Sequence, residues 1–191
     1  MKSKLNFTKA STILALVASL GSLYIVYYQT NLMGKQFELQ RQQQYTSVFP
    51  YISLANTGNQ KRYGYLISNT GIGPALIDEI NIHYKDSVYK NHDLRAAFVN
   101  IITKEDSLFS SYKDIGHSTV RTGTLIPADK IIEAITFSSE LDKIGVERRR
   151  ALRGWFNRKL VIEVIYSSIY GEQWRVTSVS TAPEKIKSLT D

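Results

Sequence analysis

The chain has 191 residues, 43% of them hydrophobic and 21% charged, with 11 glycines and 4 prolines. That composition excludes a disordered or low-complexity chain and leaves room for one domain of ordinary size with an appendage. The complete lack of cysteine excludes a disulfide framework, a thiol nucleophile and cysteine-ligated metal sites, while the net charge of +7 predicts a basic face toward phosphate or anionic lipid.

The strongest signal is N-terminal. Residues 1–9 form a basic flank carrying Lys2, Lys4 and Lys9, and residues 10–28 then run without a charge or a proline. As a helix this run would cover about 28 Å, close to a bilayer's hydrocarbon core. Tyr24, Tyr27 and Tyr28 close it with the aromatic residues that settle at headgroup level. A cleaved signal peptide would end at a small-x-small site such as Ser19-Leu20-Gly21, but the apolar run continues through Leu23, Ile25 and Val26. The segment therefore reads as an uncleaved transmembrane anchor whose partner is the lipid bilayer. The lysines before it outnumber the nearby Lys35 and Arg41 after it, which favours a cytoplasmic N-terminus and an extracytoplasmic C-terminal domain. The reverse orientation stays open as the alternative.

Residues 29–48 are rich in helix formers and in glutamine, and read as a polar helical stalk ended by Pro50. Met33 and Phe37 could support self-association of a homo-oligomer, against the simpler expectation of a solvated monomeric stalk.

A β-rich domain is expected over residues 49–181. Short strands are predicted at Tyr51–Ala55 and Lys61–Ser68, each closed by an Asn-Thr-Gly turn, the first running into Asn59. A third is predicted at Ile77–Tyr84, with Ile80, Ile82 and Tyr84 alternating against Asn81 and His83. Asn91 or Asp93 caps a helix whose Leu94, Ala97, Phe98, Ile101 and Ile102 share one face. A loop is expected at Lys104–Ser118, then strands at Thr119–Ile126 and Lys130–Ser138. Ser139-Glu140-Leu141-Asp142 reads as a capping box opening a second helix toward Trp155, with Gly145 as its weak spot. Leu141, Ile144, Leu152, Trp155 and Phe156 of that helix should face the sheet. A hairpin follows, Leu160–Tyr166 returning at Trp174 and Val176, and residues 182–191 read as a loose charged tail. Several short strands with one or two inserted helices predict an immunoglobulin-like antiparallel β-sandwich. An α+β sheet with both helices on one face is the alternative.

The most distinctive string is Asn69-Thr70-Gly71-Ile72-Gly73-Pro74-Ala75. It lacks the Lys-Ser or Lys-Thr pair, the third glycine and the following helix that a phosphate loop requires. Asn69, Gly71, Gly73 and Pro74 are therefore expected to form a structural turn, with glycines at positive φ. Taken together, the N-terminal span, the polar stalk, Pro50-Tyr51-Ile52, NTGIGPALI and the late YSSIYGEQW resemble a loose group of uncharacterised bacterial membrane-anchored proteins. The resemblance implies a small sandwich held at a bacterial inner membrane and implies no catalytic residue.

No nucleophile–base pair, metal motif or cofactor motif is legible. His83, His92 and His117 are scattered, and Asp78 and Glu79, adjacent on a strand, should point to opposite faces. The binding candidates are basic: Arg148, Arg149, Arg150 and Arg153, with Arg158 and Lys159 nearby. On a helix, Arg149 and Arg153 share a face. Such a patch could meet an anionic surface, or be a solvated helix face balanced by Glu140, Asp142 and Glu147. It lacks a nucleic-acid motif, so nucleic acid is not an expected partner. The sequence thus predicts a non-catalytic, membrane-tethered interaction or accessory module that meets another membrane or envelope protein. The alternative is a cytoplasm-facing sensor or effector, in a stress or phage-defence setting, that binds a phosphorylated ligand through the arginines.

Overall fold

The structure, a computed structural model, describes residues 2–59, 61–110, 112, 115–138, 142–180 and 182–186. The chain divides into two compact units, Met1–Thr46 and Ser47–Asp191. The first is one helix, α1 (Lys2–Thr46), in which Lys9–Arg41 is long and apolar enough to cross a membrane. Leu14, Val17, Leu23 and Tyr27 stand exposed along it, surface that water would penalise by roughly 25 cal/mol per Å². Its hydroxyls make no such demand on water. Ser19, Ser22 and Thr30 donate to the carbonyls of Leu16, Ala18 and Val26 within the same helix, as lipid requires. The expected span and stalk are continuous, without a break at residue 29.

The second unit is mainly antiparallel β structure in two sheets, with a few short helices. Its strands are β1 (Ile52–Gly58), β2 (Arg62–Asn69), β3 (Ala75–Tyr84), β4 (Ser87–Lys90), β5 (Ile115–His117), β6 (Leu125–Ile126), β7 (Lys130–Ser138), β8 (Leu160–Ser167), β9 (Gln173–Thr177) and β10 (Glu184–Ile186). Sheet one has the order β1-β2-β7-β5. Sheet two has the order β10-β9-β8-β3-β4, with β6 also pairing β3.

Period-two burial positions the core. Leu160, Ile162, Val164 and Tyr166 of β8 are buried, while Val161, Glu163 and Ile165 between them are half-buried. Tyr63, Tyr65 and Ile67 form the matching inward row on β2. The sheets meet directly: the Tyr166 hydroxyl of sheet two accepts from the Ile52 amide of β1 in sheet one at 3.3 Å and donates to the Pro50 carbonyl at 3.5 Å.

Two helical insertions fill the remaining space. The first runs α2 (Leu94–Ala97), a π turn (Phe98–Ile102) and α3 (Thr103–Glu105), capped by Asp93, whose carboxylate accepts from Ala96 at 2.7 Å. The second is α4 (Lys143–Gly154) followed by a π turn (Trp155–Lys159). Phe156 stacks obliquely between Tyr63 and Tyr65 of sheet one, and Trp155 meets Tyr84 of sheet two, so this insertion packs against both sheets. Phe98 links Phe109 to Phe137 in the same ring network.

Several expectations need correction. The first Asn-Thr-Gly is the end of β1, paired with Tyr65, Gly64 and Tyr63, and the hairpin closes beyond it, where the Asn59 amide donates to the Arg62 carbonyl. Residues 119–124 are not strand; only Leu125–Ile126 pairs. A hairpin at Lys85-Asp86, with Lys85 at φ 50°, joins β3 to the unanticipated β4. The short β5 lies in the expected loop, and β10 lies in the expected loose tail, paired with β9. Helix α4 is capped by Asp142, which accepts from Gly145 at 2.7 Å. Ser139, Glu140 and Leu141 of the capping box lie outside the described residues, as do residues 187–191 of the tail. Leu152, Trp155 and Phe156 are buried as expected, but Ile144 is 52% exposed, because it lies in the first turn, away from the face that meets β2.

Candidate functional site

The turn at residues 69–74 is built around one buried side chain. Asn69 accepts at its Oδ1 from the amides of Tyr51 and Gly71, both at 3.1 Å. Its Nδ2 donates to the carbonyls of Gly73, Ile126 and Pro127 at 2.8, 3.0 and 3.2 Å. One amide thereby ties the β1 approach, the turn and the β6–β7 connection together, and it is fully buried. The glycines serve closeness rather than handedness. A Cβ at Gly71 would lie 2.3 Å from the Tyr51 nitrogen, and one at Gly73 would lie 1.9 Å from the Val48 oxygen. Neither glycine has positive φ, contrary to expectation; among the described residues Gly123 and Gly171 do. Pro74 precedes β3, where its missing amide costs no ladder bond. Nothing in this arrangement leaves the turn's amides open to an anion: those of Thr70, Ile72 and Gly73 donate to Tyr51 and Phe49 carbonyls.

The arginines separate into two groups. The Arg148 Nε donates to the Leu108 carbonyl at 3.0 Å, and its guanidinium lies 5.0 Å from the Tyr112 ring centroid. It fastens α4 to the 3₁₀ turn Ser107–Phe109 and is no part of a shared surface. Arg149, Arg150 and Arg153 do come together. They line a groove of about 210 Å³ with Val146 on one side and Asn59, Arg62 and Tyr63 of the β1–β2 hairpin on the other. Arg62 pairs with Glu133 across β2 and β7. Among the described residues, Arg150 and Arg153 make no ion pair, although Glu147 lies one helical turn before Arg150. At the groove's floor, the Tyr63 hydroxyl donates to Asn56. Burial holds the Tyr63 phenol well above its ordinary pKa; Tyr65 adds to the rise and Arg153 opposes it. Among the described residues the groove thus gathers arginine side chains around neutral polar groups and presents no acid–base pair. Arg158 and Lys159 lie on the π turn outside it, with Lys159 4.0 Å from the Trp155 ring centroid.

A second groove, of about 390 Å³, crosses sheet two, where His83, Glu163, Arg175 and Glu184 line it together with Thr177. Its charges are largely settled among themselves. His83 Nε2 is 3.5 Å from Glu163, which also accepts from Asn81 at 3.1 Å, and Arg175 donates to Glu184 at 2.8 Å. Asp78 sits at a β-bulge and accepts from Ser167 and Gln173, while Glu79 accepts from Asn81, so the two acids share no partner. His92 donates to the Lys90 carbonyl, and His117 is exposed in β5. Among the described residues no group of three or more His, Asp or Glu side chains could hold a metal ion.

Sequence reasoning found three of the groove's arginines and missed Asn59, Arg62 and Tyr63. Those three lie in a segment legible only as strand and turn, and the packing of β2 on α4 has no local sequence signal. Compared with protein-family models, curated proteins and solved structures, the chain shows no significant match to any.

Proposed function

We propose that this chain is a membrane-anchored, non-catalytic interaction module of a bacterial inner-membrane or envelope complex. The carrying observation is α1: Lys9–Arg41 can cross a bilayer, and its apolar side chains are left exposed rather than buried in protein. In this reading the N-terminus is cytoplasmic and the β domain is presented outside the cytoplasm to another membrane or envelope protein. The domain is read as an immunoglobulin-like sandwich. The strand order supports it: β1-β2-β7-β5 opposite β9-β8-β3-β4 reproduces the A-B-E-D and G-F-C-C′ pairings of that architecture. Exposed Met33 and Phe37, one turn apart on α1, support self-association through the stalk.

A second reading, a cytoplasm-facing sensor of a phosphorylated ligand, is favoured by the guanidinium groove. Topology separates the two. A C-terminal alkaline phosphatase fusion should be active in intact cells, and a C-terminal green fluorescent protein fusion should be dark if exported by the general secretory route. The opposite pair of results would overturn the extracytoplasmic reading and leave the sensor. Recovery of the full chain in the soluble fraction would overturn the anchor itself.

A further inference from the structure

We infer that the groove between the β1–β2 hairpin and α4 is a binding site for a phosphoryl group carrying more than one negative charge. Arg149, Arg150 and Arg153 line it from the helix and Arg62 from the hairpin, so basic residues of two elements share one groove. Arg150 and Arg153 are a like-charged pair at i,i+3, an arrangement that a helix disfavours and that an anion between them would relieve. Arg62 has Glu133 for company, but Arg150 and Arg153 meet no carboxylate among the described residues. Among the described residues, the remaining walls are uncharged: Tyr63 is a neutral phenol committed to Asn56, and Asn59 and Val146 carry no charge.

The chemistry selects phosphate over carboxylate. Planar guanidinium forks match phosphate oxygens two at a time, and several of them around one point are better neutralised by a di- or trianion than by a single carboxylate. At about 210 Å³ the groove is smaller than the usual pocket for a drug-sized ligand, which suits a phosphoryl group with a short substituent. Two sources share that chemistry: the headgroup of a phosphomonoester lipid, available to an anchored chain, and a free phosphorylated small molecule. The inference names the ligand class for the sensor reading, yet it holds for either membrane orientation. The reporter fusions can therefore fail while the binding result stands, and the reverse.

The test uses the full chain in nonionic detergent, titrated with inorganic pyrophosphate at constant low ionic strength and followed by calorimetry. Saturable binding is expected, weakened about tenfold or more in the R150Q/R153Q double variant and less in R150K/R153K, which keeps the charge and loses the fork. An Arg121→Gln control, at an exposed position outside the groove, should bind like the wild type. Should the double variant fail to fold, judged by tryptophan fluorescence, the single variants R150Q and R153Q carry the same comparison. A second arm repeats the titration in nanodiscs of phosphatidylcholine alone and of phosphatidylcholine with phosphatidic acid. Weaker pyrophosphate binding in the phosphatidic acid discs assigns the groove to a lipid headgroup, and unchanged binding assigns it to a soluble ligand; both support the site. Absence of saturable binding by the wild type in detergent and in both discs overturns it. So does equal affinity in the wild type and the folded arginine-to-glutamine variants.

Discussion

Replacing Gly73 with alanine should cost the β domain about 2–4 kcal/mol. The added Cβ would lie 1.9 Å from the Val48 carbonyl oxygen and 2.4 Å from its carbon, whereas real Cβ atoms essentially never come within 3.0 Å of another atom. The obstacle is backbone, so it cannot swing aside as a side chain would. The turn and residues 48–49 must part by about 1 Å, which strains three bonds: Ile72 and Gly73 amides to the Phe49 carbonyl, at 3.1 and 3.3 Å, and Asn69 Nδ2 to the Gly73 carbonyl, at 2.8 Å. Each hydrogen bond is worth about 0.5–1.5 kcal/mol net, and about 1–3 kcal/mol where a buried group is left unpaired, so losing one of each kind costs about 1.5–4.5 kcal/mol, which brackets the range stated. Alanine also restricts the unfolded chain, which returns only about 0.4–1 kcal/mol. At roughly 3 °C per kcal/mol for a domain of this size, Tm should fall by about 6–12 °C. Tryptophan fluorescence is the suitable probe, because both tryptophans, Trp155 and Trp174, belong to the β domain and none to α1. Gly34→Ala, in open space on α1, should leave that melt unchanged. An unchanged or higher Tm for Gly73→Ala would refute the close-approach argument.

Three further outcomes follow from the same contacts. Asn69→Asp keeps the acceptor for Tyr51 and Gly71 but removes the donor to three carbonyls, so denaturant titration should show a loss of about 2 kcal/mol or more; equal stability would mean the amide is not the organiser described. Arg148→Gln should lower Tm by a few degrees, since it forfeits the Leu108 bond and the Tyr112 contact, at about 1–2 kcal/mol together. R150Q/R153Q, which breaks no hydrogen bond or ion pair among the described residues, should melt within about 2 °C of the wild type, and a reversed order of the two variants would refute the division of the arginines. In alkali, burial pushes Tyr166 up to about 12 from 10.0 and raises Tyr63 and Tyr65 as well. A raised phenol pKa gives stability that is complete below the unfolded value and lost as pH climbs through the folded one. Unfolding should therefore set in above about pH 10, with tyrosinate absorbance rising in step; full tyrosinate formation in a still-folded domain would contradict the burial.

What the sequence disclosed depended on periodicity. The Leu94–Ile102 face and the Leu160–Val176 hairpin carry patterns that only one arrangement buries, and each lies where expected, while the apolar run from residue 10 falls within the longer helix α1. Short elements held by long-range pairing did not show themselves. β4 turns at Lys85-Asp86, which lacks the usual Asn-Gly, and β5 exists because Phe137, Thr136 and Ile135 offer it an edge. The two Asn-Thr-Gly strings make the point most sharply. Asn56 sits on exposed strand and Asn69 in a fully buried hub, a difference decided by what packs around them and not by the tripeptide. The candidate groove was half legible for the same reason: its helical arginines follow from i,i+4 spacing, but Arg62 arrives through tertiary packing.

The pairings that join the two halves of the domain also set the order in which it can be made. β2 must wait for β7, and β3 must wait for β8, so that Ile80 finds Val164 and Ile82 finds Ile162 only late in synthesis. Until β8 has left the ribosome, Ile80 lacks Val164 and Ile82 has only Tyr89 of the short β4 beside it, and until Phe156 has emerged the Tyr63 and Tyr65 rings lack it. Contacts so distant along the chain fold slowly. The anchor precedes all of them, so on a cotranslational route the nascent β domain would be tethered at the bilayer well before it could close. If α1 anchors the chain as proposed, that interval is spent at a membrane surface, and any factor that protects the unfinished core must act there.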